Sequence, residues 1–231
     1  MKRFYREATV GEAAGGWQVM LDGRGIKTQG GRPQVVPSRD LAEELAAEWA
    51  AQGEEIDPKS FRLRDQTDYA IDHVASDPSE TIDKLVGFAE TDTLCYRADP
   101  EDALFKRQQE EWEPVIGALE SRHAIRLHRI SGIMHRAQPE ASMAVLRRHL
   151  ETLDPFTLAG LFTLASLAAS LCIALEAAEP DADVEKLWAA ASLEEEWQAD
   201  LWGRDAQAEE RRARRAQDFL AAVEWLRLAR A

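Results

Sequence analysis

The uncharged stretch at residues 156–175 limits the possible folds more than any other part of the chain. It contains 20 residues without a charge, which is long enough for a membrane-spanning helix. Its small and polar side chains recur every three or four positions and therefore share one helix face: Thr157, Gly160, Thr163, Ser166 and Ser170. Because many amphipathic helices elsewhere require an apolar element to pack around, we expect a central buried helix over 155–177 rather than a membrane span.

The first forty residues have the pattern of short strands joined by tight turns. Residues 3–10 and 17–21 are predicted strands, and Asp22-Gly23-Arg24-Gly25 is typical of a hairpin turn. A helix over 39–52 is predicted to follow, with Ser38 as its N-cap. These signals predict a small antiparallel meander at the start of the chain.

Cap and proline signals divide the rest of the chain into helices. The predicted helices cover 65–75, 78–90, 99–122, 138–151, 155–177, 183–203 and the segment after Asp205. Pro114 is expected to kink or split its helix, and Asp57-Pro58 indicates extended chain over 54–63. Residues 91–97 predict a strand, and Ile125, Leu127, Ile130 and Ile133 within 124–136 indicate a short strand and a loop. The predicted class is α+β, with a small antiparallel β-rich N-terminal domain (1–85) that carries one or two helices, followed by a mostly helical C-terminal domain (86–231).

Charge and cysteine content exclude some function classes. The net charge of −14 disfavours nucleic acid as a partner, because binding a polyanion relies on a basic surface. It is compatible with a basic protein partner and equally with solubility alone. Cys95 and Cys172 both lie in apolar runs and are predicted to be buried, reduced thiols.

The common catalytic signatures are absent from the sequence. It contains no G-x-x-x-x-G-K loop, no G-x-G-x-x-G after a strand, no G-x-S-x-G and no H-E-x-x-H. Four histidines are loosely grouped, but their spacing matches no metal template: His123, His128, His135 and His149. We therefore predict no metal site.

The acidic, tryptophan-rich stretch at 191–205 is the most unusual part of the chain. As one helix it has two apolar stripes on opposite sides. Leu193, Trp197 and Leu201 form the first stripe, and the second consists of Val184, Trp188, Ala191 and Trp202 with Glu195 in its middle. Such a helix is predicted to lie between neighbours, with Glu195 either buried and paired or presented for function.

Two nearby features have alternative interpretations. The arginines at 211–215 follow Glu209 and Glu210 at the spacing of pairs on a solvated helix face, but they could instead neutralise the glutamates of the preceding helix. Four of the seven tryptophans lie in the last 44 residues, where they could serve core packing or a partner surface.

Six stretches carry a resemblance to a known family. They are R-F-Y at 3–5, V-M-L-D-G-R at 19–24 with K-T at 27–28, P-S at 37–38 with A-E-W at 47–49, T-D-T-L-C-Y-R at 91–97, Q-x-x-W-x-P at 109–114, and L-E-E-E-W-Q-A-D-L-W-G at 193–203. In this order they resemble the assembly chaperones for the catalytic head of F-type ATP synthase, in the branch that binds the alpha subunit. Phe61-Arg62-Leu63 departs from the Met-Pro-like stretch of that family.

The resemblance implies a non-enzymatic chaperone without a cofactor. It implies that the chain binds the free, unassembled alpha subunit and prevents its aggregation, without ATP, until the beta subunit replaces it. In the family the acidic stretch is tied to function, with Glu195 and Asp200 at the matching positions here. The predicted client-binding or essential residues are Glu194, Glu195, Glu196, Trp197, Gln198, Asp200 and Trp202.

Two expectations complete the sequence-based picture. We expect a bacterial source, because no mitochondrial presequence precedes Lys2. We also expect a cytoplasmic monomer that neither binds nucleic acid nor inserts into a membrane. The alternative function is a small-molecule enzyme that uses Glu195 as acid or base in a pocket between the two domains.

Overall fold

The computed structural model describes residues 1–132 and 136–231. Ile133, from the predicted strand and loop, and His135, from the histidine group, lie outside these residues. The chain divides into two compact units. The first contains residues 1–80, 154–160 and 224–231, and the second contains 81–153 and 161–223.

The arrangement of strands and helices confirms the α+β class, since antiparallel strands open the chain and helices follow. The predicted boundary at residue 85 stays a prediction, because a compact unit is not a test of independent folding. Two segments that the prediction assigned to the C-terminal domain, 154–160 and 224–231, belong to the first unit.

The first unit contains a small antiparallel sheet. Strands β1 (Ala8–Ala13) and β2 (Gly16–Leu21) form a hairpin, and β3 (Arg24–Gly25) and β4 (Val35–Val36) both pair with β2. Between β2 and β3, Asp22 and Gly23 have φ values of 48° and 78°, as a two-residue hairpin turn of right-handed twist requires. The predicted Asp-Gly turn is therefore confirmed.

Helix α1 (Arg39–Ala50) packs its apolar face against β1 and β2. The Ser38 hydroxyl accepts a hydrogen bond from the Leu41 amide at 3.0 Å, which confirms the predicted N-cap. The same hydroxyl donates to the Leu228 carbonyl. Trp225 donates from its indole to Thr67 Oγ1 at 3.1 Å, so residues 224–231 are held within the first unit.

The chain between residues 54 and 75 is more helical than predicted. A 3-10 turn covers Pro58–Ser60, because Asp57 caps it by accepting from the Lys59 amide at 3.0 Å and proline suits a first helical position. Helix α2 (Arg62–Tyr69) then runs directly into a π turn at Ala70–Val74. The predicted extended segment is therefore wrong after residue 57.

The remaining helices make up most of the second unit, and some of them extend into the first. They are α3 (Pro78–Glu90), α4 (Ala103–His123), α5 (Glu140–Leu150), α6 (Pro155–Ala168), α7 (Leu171–Ala177), α8 (Val184–Ala191), α9 (Leu193–Trp202) and α10 (Ala206–Arg230). Two short strands, β5 (Tyr96–Arg97) and β6 (Ile130–Ser131), pair in parallel.

Asp92 explains two differences from the predicted elements. Its carboxylate, fully buried, accepts from the Leu94 amide at 3.0 Å and from the Cys172 amide at 2.9 Å. The first bond starts a 3-10 turn at Thr93–Cys95, so the predicted strand over 91–97 is reduced to β5. The second bond provides an acceptor for the Cys172 N–H in the first turn of α7. Burial raises the pKa of Asp92, and the hydrogen bond from the Cys172 amide is the largest opposing effect.

The predicted single helix over 155–177 is two helices, α6 and α7. The chain turns at Ala169, which has a φ of 49°, a left-handed conformation that a sequence pattern does not predict for alanine. Ser170 then caps α7 by accepting from the Ile173 amide at 3.0 Å. No helix in the described part of the chain is long and apolar enough to cross a membrane.

Two other helix predictions also needed correction. Pro114 does not split α4, since the helix is continuous and the fully buried Trp112 and Ile116 anchor it on both sides of the proline; the predicted kink stays a prediction. The predicted helix over 183–203 is broken between α8 and α9 at Ser192, whose hydroxyl donates to the Trp188 carbonyl at 2.9 Å.

A cluster of charged side chains lies inside the second unit, and we call Arg97, Glu113, Glu120 and Arg129 the inner cluster. Arg129 donates to Glu113 at 2.8 Å and to Glu120 at 2.5 Å. Arg97 donates to Glu113 at 2.8 Å and stacks on the Trp112 ring at 5.1 Å. The side chains of Arg97 and Glu120 are only 1% and 9% exposed, so these charges are largely removed from water.

The two cysteines have the predicted surroundings, and two of the histidines pack against each other. Cys95 and Cys172 are buried and free. Burial, assisted by the charge of Asp92, raises the pKa of Cys95 to about 12. His123 and His149 pack together with ring centroids 4.6 Å apart. Among residues 1–132 and 136–231 no group of side chains is arranged to hold a metal ion.

Candidate functional site

Helix α9 and the first turns of α10 bring the predicted site residues together with arginines. Gly203, with a φ of 96°, ends α9, and Asp205 starts α10 by accepting from the Ala208 amide at 2.9 Å. The predicted cap at Asp205 is confirmed. The turn between the helices lets the arginines of α10 reach back to the carboxylates of α9.

We call the group formed by Glu195, Glu196, Asp200, Arg204, Arg212 and Arg215 the outer cluster; its carboxylates are exposed, whereas Arg212 is only 13% exposed. Arg215 donates to Glu195 at 2.7 Å, and it also donates to the Leu167 carbonyl at 3.0 Å. Its guanidinium lies 5.5 Å from the Trp188 ring centre. Arg215 therefore fixes the Glu195 side chain relative to α6 and α8.

Arg204 lies at the centre of the carboxylates on the exposed side. It donates to Asp200 at 2.7 Å and to Glu196 at 3.0 Å, and it lies 3.3 Å from Glu209. The side chains of Arg204 and Asp200 are 48% and 68% exposed. The hydrogen bonds from Arg204 to Asp200 and Glu196 raise the pKa of Arg204.

Arg212 completes the outer cluster from the side of α10. Its Nε lies 3.3 Å from the Glu196 carboxylate, its Nη1 donates to the Glu195 carbonyl at 3.3 Å, and it also pairs with Glu209. The structure contains both kinds of pairing that the arginine run suggested. Arg214 pairs with Glu210 one turn away on α10, whereas Arg212 and Arg215 neutralise the glutamates of α9.

Glu194 faces away from the outer cluster and has a structural environment. It accepts from Gln108 Nε2 at 2.7 Å, and Gln108, which is fully buried, accepts from the Ala98 amide at 2.8 Å. Burial raises the pKa of Glu194, and the hydrogen bond from Gln108 opposes this shift. Of the three consecutive glutamates, only Glu195 and Glu196 take part in the outer cluster.

Two cavities border α9. One, of about 380 Å³, is lined by Glu195, Gln198, Trp202 and the α10 arginines, including Arg211. The other, of about 420 Å³, is lined by Trp188, Trp197, Glu196 and Asp200. Six of the seven predicted site residues line these two cavities, and Glu194 does not.

The prediction that this helix is packed on both sides is wrong at its C-terminal end. Leu193 is 7% exposed, but Leu201 and Trp202 are 61% and 79% exposed. Because the chain breaks at Ser192, the stripe drawn through α8 does not continue along α9. Glu195 is 45% exposed and paired with Arg215, rather than buried in an apolar stripe.

Sequence analysis missed the exact partners of the acidic residues. Arg212 and Arg215 were recognised only as part of a basic run with two interpretations, and Arg204 and Gln108 were not recognised as partners. The available signal was the spacing of Arg212 and Arg215, which share one face of a helix that a glycine turn folds back.

Comparison with known proteins identifies the family. Residues 2–120 match the family model described as ATP12 chaperone protein. The chain belongs to this family. The match covers half of the chain, and it includes the first five of the six stretches that carried the resemblance.

Solved structures and a curated relative extend this relationship over most of the chain. A crystal structure of Atp12 from Paracoccus denitrificans is 32% identical, with a TM-score of 0.93 over 99% of this chain and 98% of that one. An Agrobacterium tumefaciens protein of known crystal structure is 38% identical, with a TM-score of 0.92 over 98% and 85% of the two chains. The mitochondrial protein atp12 of Schizosaccharomyces pombe is 24% identical over 214 residues, which are 87% of this chain and 74% of the relative.

The family membership confirms the predicted recognition as an assembly chaperone of ATP synthase. The roles predicted for the α9 residues stay predictions, and so does the alternative in which Glu195 acts as an acid or base between the two domains.

Proposed function

We propose that this chaperone binds the free ATP synthase alpha subunit through α9 and the start of α10. In this proposal it keeps that subunit soluble, without an enzymatic step and without ATP, until the beta subunit takes its place. The observation that carries the proposal is the pair of exposed apolar side chains, Leu201 and Trp202, beside the outer cluster.

The largely exposed Trp202 side chain is available for contact with a partner. Trp202 is 79% exposed, and tryptophan is among the residues most enriched in the energetic centres of protein interfaces. Trp202 also lines the cavity that contains Glu195, so an apolar client side chain can occupy the cavity while the indole covers it. This arrangement supports a surface that shields apolar area on an unassembled subunit.

The charges of the outer cluster support reversible rather than permanent binding. Glu195, Glu196 and Asp200 are paired with arginines of the same chain at 2.7–3.3 Å, and their side chains are 42–68% exposed. Exposed ion pairs of this kind are weak, so basic client groups can replace the internal arginines at little cost. Charge complementarity of this type affects specificity and association rate more than the final affinity.

The proposal is tested with purified protein and isolated alpha subunit. Light scattering of the alpha subunit on dilution from denaturant should fall in the presence of the chaperone, with no nucleotide added. Size-exclusion chromatography with light scattering should give a one-to-one complex. If the protein neither binds the alpha subunit nor keeps it soluble, the proposed function is wrong.

Matched variants locate the surface. We expect Glu195→Lys and Trp202→Ser to abolish suppression of aggregation while cooperative unfolding in urea is retained. The controls are Glu101→Lys, an exposed glutamate without an ion pair among the described residues, and Leu220→Ser, an exposed leucine elsewhere on α10. If the controls lose as much activity as the site variants, the α9 surface is not the binding site. If Glu195→Lys abolishes folding, Glu195 has a structural role.

A further inference from the structure

A groove in the first unit is not used by the proposed function. Its volume is about 460 Å³, and its walls come from the N-terminal segment, the turn between β2 and β3, and the end of α1. Three of the stretches quoted for the family resemblance contribute to it, namely those at 3–5, 19–28 and 47–49. Its size is within the range of binding sites for one or two side chains or a small ligand.

The floor of the groove is apolar and partly open to solvent. Tyr5 and Trp49 form an edge-to-face pair with ring centroids 5.6 Å apart, and the Tyr5 hydroxyl donates to the Trp49 carbonyl at 2.6 Å. Phe4 packs against Tyr5 at 5.3 Å and is 65% exposed. An occupant can therefore gain contact with a rigid aromatic surface that already exists.

Two cations at the groove have no side-chain partner in the part of the chain that the structure describes. Arg24 and Lys27 are exposed, and neither forms an ion pair or a side-chain hydrogen bond with any residue in 1–132 or 136–231. Elsewhere in this chain of net charge −14, the arginines of the inner and outer clusters pair with carboxylates. The groove is thus a local site where a carboxylate is favoured.

Asp22 supplies the one carboxylate among the described residues that line the groove, and it already accepts hydrogen bonds from backbone amides. Asp22 accepts from the Arg6 and Glu7 amides, with its closest oxygen at 3.0 Å from each nitrogen. Arg3 adds positive charge nearby, with its guanidinium 4.6 Å from the Tyr5 ring centre, and among the described residues it donates to backbone carbonyls alone. The charges that face an occupant are therefore predominantly positive.

The position of β3 favours an extended peptide over a compact anion. Arg24 and Gly25 of β3 line the groove, and β3 is the last strand in the order β1-β2-β3, where an extended segment can lie along the sheet edge.

We propose that this groove binds an extended polypeptide segment that carries a carboxylate beside an aromatic or aliphatic side chain. The apolar side chain packs on Phe4 and Tyr5, and the carboxylate pairs with Arg24 and Lys27. This site lies in the first unit and is separate in sequence from the α9 surface of the proposed function.

The test uses fluorescence anisotropy of labelled octapeptides with the full chain. The reference peptide has glutamate and aspartate on either side of phenylalanine, and the comparison peptides replace the acids by amides, the acids by lysines, or the phenylalanine by serine. We expect the reference peptide to bind about tenfold more tightly than the amide and serine peptides, and the lysine peptide not to bind. Equal binding of the reference and amide peptides would overturn the proposal.

Matched variants separate the groove from general electrostatics. Lys27→Glu should weaken the reference peptide about tenfold, whereas Lys59→Glu, an equal charge change on an exposed lysine outside the groove, should change it by less than about twofold. Phe4→Ser tests the apolar floor independently and should weaken binding with circular dichroism unchanged. Equal effects of the two lysine variants, or displacement of the peptide by ATP at similar affinity, would contradict a peptide groove. Glu195→Lys should retain peptide binding, so failure of the α9 proposal is distinguishable from failure of this one.

Discussion

The inner and outer clusters use the same chemistry in different surroundings. In both, one arginine links two carboxylates, since Arg129 contacts Glu113 and Glu120 at 2.8 and 2.5 Å and Arg204 contacts Glu196 and Asp200 at 3.0 and 2.7 Å. The difference is in hydration, because Glu120 is 9% exposed and Asp200 is 68% exposed. Water therefore reaches the Asp200 carboxylate far more readily than the Glu120 carboxylate, whereas Glu113, at 41% exposed, resembles Glu196 at 42%.

The pKa directions agree with this difference. Burial acts to raise the pKa of Glu120, but the hydrogen bonds from Arg129 and the Leu127 amide, together with the arginine charges, outweigh it and lower the pKa. The pKa of Arg97 is lowered, chiefly by burial, because Glu113 compensates only part of that cost. The inner cluster therefore carries stability that depends on intact pairing, whereas the outer cluster is available for exchange.

Removing the central arginine of the inner cluster should have the largest effect on stability. We expect Arg129→Met to lower the free energy of unfolding by about 3 kcal/mol, because the buried Glu120 loses its closest cation and keeps only the exposed Arg126, at 3.5 Å. Urea unfolding followed by circular dichroism measures this loss. The double variant with Glu120→Gln should recover part of it, and a loss below about 1 kcal/mol in the single variant would remove the distinction between the clusters.

The pH dependence of a Glu120→Gln variant should show the next largest effect. Because the folded-state pKa of Glu120 is lowered, its contribution is present above the unfolded-state pKa and is lost as pH falls through the folded-state pKa. At pH 7 we expect the variant to be less stable by about 2 kcal/mol, the scale of a hydrogen bond to a charged group. The difference should shrink below about pH 4.3, the ordinary value for glutamate.

The variant must be compared with the wild type, because pH affects stability through Asp92 in the opposite direction. Its pKa is raised by burial, so its ionisation costs stability once pH exceeds its unfolded-state pKa, and acid relieves that cost. Asp92 is present in both proteins and cancels in their difference. A stability difference between them that stayed constant down to pH 3 would contradict the assignment to Glu120.

Breaking the best-connected pair of the outer cluster should have a smaller effect. We expect Arg215→Met to lower the free energy of unfolding by about 0.5 kcal/mol, because its ion pair with Glu195 is exposed and the methionine retains packing on Trp188. Urea unfolding at low salt is the measurement. A loss as large as that of Arg129→Met would show that the outer cluster also holds the fold.

Removing Arg204 should have the smallest effect of the series. The exposed Arg204 is outside the helices, and water can solvate Glu196 and Asp200 when it is absent. We expect Arg204→Ser to leave the urea midpoint unchanged at both 50 mM and 500 mM sodium chloride, concentrations at which screening differs strongly. A salt-dependent loss of stability would indicate that repulsion among the carboxylates matters.

Local signals were predictable from the sequence because their causes are local. Ser38, Pro78, Pro155 and Asp205 begin helices through bonds or backbone preferences within a few residues, and all four positions were predicted. The Asp22-Gly23 turn belongs to the same class. The pairing of α10 arginines with α9 glutamates was one of two interpretations, because the turn at Gly203 was visible.

The missed features depend on contacts between residues far apart in sequence. The break at Ala169 accompanies a bond from the Cys172 amide to Asp92, which lies 80 residues earlier. The exposure of Trp202 could not be read from periodicity, since a pattern does not show whether a neighbour is present. For the inner cluster, the seven-residue spacing of Glu113 and Glu120 placed both on one face of α4, but nothing local indicated Arg129 as their partner.

The position of residues 224–231 in the first unit has a consequence for synthesis of the chain. Their Trp225 and Leu228 bond to Thr67 and Ser38, which leave the ribosome much earlier. Domains commonly fold in order as they emerge, but this β-rich unit cannot be completed until translation has passed residue 228. A nascent chain therefore lacks part of its first unit for most of its elongation, and a stop codon placed just before residue 224 would leave that unit incomplete.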